Sequence, residues 1–218
     1  MSPASAAALD VDCPSPPCDP LTAAAVDVQQ ELATRLAIVA EFRDDETGAH
    51  AARVAAISGA IATALGLPES SARLIELAAP LHDLGKVAIA DAILLKQGPL
   101  SDAERRVMEE HTTTGARMLE GSDMPVLQVA RAIALTHHER WVGAGYPNRL
   151  DGPRIPLPGR IVAIADVFDA LTSDRPYKRA WPVADALAEI RSLRGSHFDP
   201  VIVAAFLRLD HRALLRVS

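Results

Sequence analysis

The sequence predicts an all-α fold, and three observations carry the prediction. Of the 218 residues, 49% are hydrophobic but only 4% aromatic. That apolar share rests largely on Ala and Leu, which lose least on entering a helix. Apolar positions recur three and four residues apart, as one face of a helix with ~3.6 residues per turn requires. No segment shows the period-two alternation of a half-buried strand. A chain of this length can bury a full core, and one domain is expected over residues 21–218.

The elements follow in order. Residues 1–20, rich in Pro, Ser, Ala and Asp, have no apolar periodicity and read as a disordered leader. The only cysteines, Cys13 and Cys18, fall in it as exposed thiols that would staple nothing. From Leu21 the pattern turns helical, with Val28, Leu32, Leu36 and Val39 expected on the core-facing side. A second helix is expected from Thr47 to Leu65, where Gly66 and Pro68 supply stop and restart signals. Further helices are expected at 69–82, 102–119, 124–138, 158–172, 182–193 and 199–208. Ser101 with Glu104 three residues on has the form of a capping box. No internal repeat is present.

The net charge of −6 argues against a general grip on a nucleic-acid polymer, which usually calls for a basic face. No apolar run reaches bilayer-spanning length, and the N-terminus lacks a signal-peptide pattern. The expectation is a cytoplasmic protein without a membrane partner.

Polar residues that break the apolar pattern carry the chemistry. Glu46 and His50 stand at i and i+4, on one helix face. His82 and Asp83 follow the apolar run "LIELAAPL", with Lys86 three residues on. His111 lies within "ERRVMEEHTTTGARML", and His137 and His138 are adjacent ahead of a Gly-Tyr-Pro turn. Asp166 sits inside "IVAIADVFDAL", where an unpaired carboxylate would cost several kcal/mol, so it needs a cation. Five of the seven histidines belong to these groups. Imidazoles and carboxylates without thiolates suit iron, manganese or zinc rather than magnesium, and the set is too large for one ion. On a helix the side chains of His82 and Asp83 would diverge by ~100°, so they can face two metals with Asp83 bridging.

"HDLGK", "HHERWVGAGYP", "RIVAIADVFDALTSDRPYKRA" and "HFDP" occur in this order, and over Val28 to Leu207 the chain resembles the HD-GYP domain family of the HD-domain phosphohydrolases. The resemblance implies an HD-domain helical bundle with a di- or trinuclear metal centre, two or three divalent ions, iron or manganese. It implies hydrolysis of cyclic di-GMP to pGpG or GMP by in-line attack of a metal-bridging hydroxide. Residue by residue, it implies one metal on His111, His137 and His138 and another on His50, His82 and Asp166, joined by Asp83. Glu46 matches the position associated with a third metal. Lys86 is expected to stabilise the phosphorane-like charge or protonate the leaving oxygen. Arg175 and Lys178 match positions that hold the substrate phosphates, with Gly145 and Tyr146 in the loop beside the pocket. Two positions depart from the family pattern, Val142 where an acidic residue is usual and Ala90 where a proline is. With only a leader and one helix ahead of the catalytic region, regulation is expected from a partner such as a diguanylate cyclase. The amphipathic N-terminal helix offers a route to a homodimer. The competing expectations are a phosphodiesterase for another cyclic dinucleotide such as cyclic GMP-AMP, or a cyclic dinucleotide sensor or scaffold without turnover.

Overall fold

The structure, a computed structural model, describes residues 23–41, 49–174 and 179–216. The leader and residues Glu46, Arg175 and Lys178 lie outside the described residues. Among the described residues there are ten α-helices and no strand. They are α1 (Ala23–Glu41), α2 (Ala49–Ala64), α3 (Glu69–Ala78), α4 (Asp91–Leu94), α5 (Asp102–Met118), α6 (Pro125–Thr136), α7 (Leu157–Thr172), α8 (Val183–Ser192), α9 (Pro200–Phe206) and α10 (His211–Leu214). No helix among them is long and apolar enough to cross a membrane.

Helix α2 is the centre of the bundle, packed between α3 and α7, with α9 and α10 against it. Helix α6 closes the other side against α3, α5 and α7. The shared core is aliphatic: Ile57 and Ile61 of α2, Ile133 of α6, and Ile161 and Ile164 of α7 are all inaccessible to solvent. Each such side chain contributes roughly 1.5–3 kcal/mol on burial. Phe168 and Phe206 add an edge-on ring contact with centroids 5.1 Å apart.

Local signals set the boundaries. The Ser101–Glu104 capping box forms, with Ser101 Oγ accepting from the Glu104 amide and the Glu104 carboxylate accepting from the Ser101 amide. Asp199 caps α9 by accepting from the Val201 amide at 2.8 Å, ahead of Pro200 in the first turn.

Two expectations change. The helix expected to run to residue 82 leaves α geometry after Ala78, and Ala79–Leu81 and Leu84–Ala88 are 3-10 turns. Pro80 lacks the N–H that an α-helix would use and crowds the preceding turn, so the chain tightens there. Among the described side chains of α1 the buried ones are Gln29, Ala33 and Ala37, while Val28 and Val39 are 64% and 60% exposed. Alanine lets α1 approach the 3-10 segments closely, which branched side chains would prevent.

Candidate metal centre

Six chain segments converge on one point. Helix α2 brings His50 near its start, and the 3-10 segment brings His82, Asp83 and Lys86. Helix α5 brings His111, the end of α6 brings His137 and His138, and α7 brings Asp166. The loop after α6 lays Tyr146 over the histidines, its ring centroid 4.8 Å from that of His138 and 6.4 Å from that of His111. Its Tyr146–Pro147 peptide is cis.

Asp83 stands between two imidazole groups. Its Oδ1 lies 3.3 Å from His111 Nε2 and 3.7 Å from His137 Nε2. Its Oδ2 lies 3.2 Å from His82 Nε2 and 2.9 Å from Lys86 Nζ. One group of potential ligand atoms comprises Asp83, His111, His137 and His138, and the other His50, His82 and Asp83, each within 4.8 Å. Asp166 Oδ1 stands beside the second, 3.6 Å from His50 Nε2 and 3.9 Å from His82 Nε2.

The outer nitrogens of the imidazoles define the tautomers. Nδ1 of His82 donates to Ala79 O at 3.0 Å, and Nδ1 of His111 to Met108 O at 2.7 Å. Nδ1 of His137 faces Ile133 O and Ala134 O at 3.1 and 3.2 Å. A carbonyl can only accept, so a proton sits on Nδ1 and Nε2 is the nitrogen turned to the cluster.

Electrostatics divide the site. Burial disfavours a charged His82, but Asp83 and Asp166 outweigh it and raise its pKa to about 9. Burial resists ionisation of Asp83 too, yet the positive charges of Lys86 and His82 prevail and hold it well below the usual carboxylate range. On the other side burial lowers His111 to about 4, and burial with the His137 charge keeps His138 low as well. One end of the cluster therefore attracts positive charge, while His111 and His138 at the other offer neutral nitrogen donors.

These residues fit a metal centre. His82 Nε2 and Asp83 Oδ1 are buried without a hydrogen-bond partner. Each such orphan costs about 1–3 kcal/mol, a penalty that coordination would remove. Imidazole with carboxylate is the donor set of first-row divalent ions.

Gly145 is buried, and a Cβ there would stand 2.4–2.5 Å from backbone atoms of His138, Glu139 and Arg140, so only glycine fits. A cavity of about 480 Å³ opens on the outer side of the loop, where Gly145 and Tyr146 face Arg106, Glu109 and Thr113 of α5.

Three residues without an assigned role in the sequence reading join the site. Asp169, one turn beyond Asp166, accepts from His50 Nδ1 at 2.7 Å. Arg53 grips the same carboxylate through Nε and through Nη2. Burial pushes Asp169 up, but the bonds from His50 and Arg53 prevail and hold its carboxyl low. Glu139 is 2% exposed and accepts from the amides of Asn148 and Leu150 at 2.8 and 3.1 Å, bracing the Tyr146 loop from beneath. The signal for Asp169 was present in "IVAIADVFDAL", which holds a second carboxylate in the same apolar run.

Comparison with known proteins bears on the family and the fold. Residues 36–202 match the family described as HD domain. The chain is 51% identical over 180 residues to the cyclic di-GMP phosphodiesterase response regulator RpfG of Xanthomonas campestris, covering 83% of this chain and 48% of that protein. It is 49% identical over 180 residues to a cyclic di-GMP phosphodiesterase of Thermotoga maritima, covering 83% of this chain and 49% of that one. The chain thus spans about half the length of the curated relatives it matches. In fold it is similar to the solved structure of Bd1817, an HDG"Y"P protein from Bdellovibrio bacteriovorus. That match has a TM-score of 0.61 at 19% identity over 86% of this chain and 64% of that one.

Proposed function

We propose that this chain, which belongs to the HD-domain family in its HD-GYP branch, is a metal-dependent phosphodiesterase that hydrolyses cyclic di-GMP. The observation that carries the proposal is the placement of Asp83, one oxygen toward His111 and His137 and the other toward His82 and Lys86. His111, His137 and His138 would hold one ion, His50, His82 and Asp166 a second, and Asp83 would be shared. Glu46 would serve a third. Iron or manganese suits this donor set. Bound there, such ions supply an activated water and neutralise phosphoryl charge.

The chain's own groups complete the chemistry. Lys86 Nζ, 2.9 Å from Asp83 Oδ2, brings a mobile positive charge with three donors beside the shared carboxylate. It would stabilise charge on the phosphoryl group and deliver a proton to the departing ribose oxygen. Tyr146, kept protonated by burial and the nearby carboxylates, offers a ring face and a hydroxyl donor to a base or phosphate. Arg175 and Lys178 would hold substrate phosphates, Arg175 bidentately. Control by a separate regulatory protein, and pairing of two chains through α1 with its exposed Val28 and Val39, belong to the same proposal.

The test is to purify the protein under low oxygen, count its metals, and assay cyclic di-GMP with manganese or iron, using cyclic GMP-AMP as comparator. The expected outcome is turnover of cyclic di-GMP to pGpG or GMP. Full metal loading without hydrolysis would overturn the enzyme reading. His111→Ala should lose more than the ~10–100-fold that an outer partner of a ligand costs. Unchanged turnover in that variant would overturn the ligand assignment.

A further inference from the structure

Three of the converging imidazoles are tethered alike. His82, His111 and His137 each turn Nδ1 toward a backbone carbonyl three or four residues earlier in the chain. Such a tether is neutral, and no side-chain substitution removes it. His50 is held differently. Its Nδ1 meets Asp169 Oδ2 at 2.7 Å, and Asp169 is 1% exposed, buried within α7 one turn beyond Asp166. Asp166 thus faces the Nε2 side of the His50 ring and Asp169 the Nδ1 side.

A buried carboxylate needs its own partner to stay ionised. Arg53, three residues after His50 on α2, supplies a two-nitrogen grip, with Nη2 3.0 Å from Asp169 Oδ2 and Nε on Oδ1. The same Nη2 reaches Ser173 Oγ at 3.0 Å, at the end of α7, which ties the fork to both helices. An anionic partner on the outer nitrogen fixes the ring orientation and makes Nε2 a stronger donor than a carbonyl partner does. Arg53 keeps that carboxylate in place and charged. We propose that Asp169 and Arg53 are positioning residues that set the metal affinity of the His50–His82–Asp166 side, whereas on the opposite side His111 and His137 are oriented by backbone carbonyls. The inference rests on the metal-centre reading above. Its consequence is that the two sides are unequal and can be adjusted separately.

Anaerobic titration of the metal-stripped full chain with Mn2+ against a competing chelator, beside a thermal melt, tests this. The wild type should take up at least two tight equivalents. D169N should keep a cooperative melt and hold one tight equivalent fewer, that one weakened by ~10–100-fold, with the rest unchanged. H50A should lose the same equivalent, and adding D169N to H50A should change nothing further, as expected for residues acting through one another. A purely structural α2–α7 cross-link would lower the melting midpoint and leave the metal titration alone. D169N with wild-type affinities, or with every equivalent weakened equally, overturns the inference and leaves the enzyme reading standing. A wild type with fewer than two tight equivalents overturns both. Should D169N not fold, R53Q carries the same expectation from the half-buried end of the pair, and wild-type affinities in it overturn the inference.

Discussion

Glu139 immediately follows the histidine doublet, yet it faces the loop rather than the ligand cluster. Its carboxylate receives the amides of Asn148 and Leu150. Glu139→Ala would leave those donors unpaired, at a cost of about 1–3 kcal/mol each where they stay buried. It should raise KM for cyclic di-GMP more than it lowers kcat, because the loop carrying Tyr146 loosens while the ligands stay put. Steady-state kinetics check this, and a pure kcat loss would assign Glu139 to the chemistry instead. Val142, one of the two departures from the family pattern, points the other way. Its side chain is 58% exposed, while its amide donates to Ser196 O at 3.1 Å and the next amide donates to Arg140 O at 2.7 Å. The backbone shapes this turn, so Val142→Asp should move stability by no more than about 0.5 kcal/mol and leave KM unchanged. The sequence exposed Val142 as unusual but could not show that its side chain is turned to solvent.

At the scale of elements, the short 3-10 segment that follows Asp83 matters more than any full helix. It reaches α5 so closely that a Cβ on Gly85 would stand 1.9 Å from His111 O and 2.6 Å from Gly115 N. Gly85→Ala must push the segment off α5 and carry Asp83 and Lys86 with it. The expected cost is about 3 kcal/mol, read as a lower denaturant midpoint, together with a loss of turnover. The long helices were legible because their apolar spacing and end signals are local. The 3-10 segments were not, since an ordinary helical pattern runs up to Pro80 and only the packing against α1 and α5 shows how the chain continues. The buried face of α1 was misread in part for a related reason: Leu36 packs against the core as expected, but Val28 and Val39 do not. Periodicity marks Val28, Leu32, Leu36 and Val39, but close approach selects Ala33 and Ala37.

For the whole molecule, the titrating groups predict how stability follows pH. Burial and the Arg140 charge lower His197 from 6.5 to about 4, and His111 is lowered over the same range. Between these values the unfolded chain takes up protons that the folded chain resists, so stability falls as pH drops from 6.5 toward 4. His82 works oppositely. Raised to about 9, it contributes stability below 6.5 that is lost as pH rises toward 9. The metal-stripped protein should therefore melt at progressively lower temperature from pH 6.5 to 4. His197→Gln, outside the metal centre, should flatten part of that slope in a series of thermal melts. Metal should stabilise the folded chain by mass action, by about 4 kcal/mol when free ion exceeds its Kd ~1,000-fold. A chelator should lower the melting midpoint accordingly, and an unchanged midpoint would contradict a metal held by the folded state.

Residue type and spacing alone determined that this chain is helical and that its histidines and aspartates interrupt apolar helices as candidate ligands. They also determined its resemblance to the HD-GYP family. Those properties are local, because a helix face, a cap or a charged residue in an apolar run shows within a few turns of chain. Only the tertiary structure decided that Asp83 turns one oxygen to each imidazole group, that Glu139 braces the Tyr146 loop, and that Asp169 rather than Asp166 backs His50. The last depends on Arg53, which stands 116 positions from Asp169 in sequence. A buried carboxylate announces that it needs a cation, and packing alone determines which one it finds.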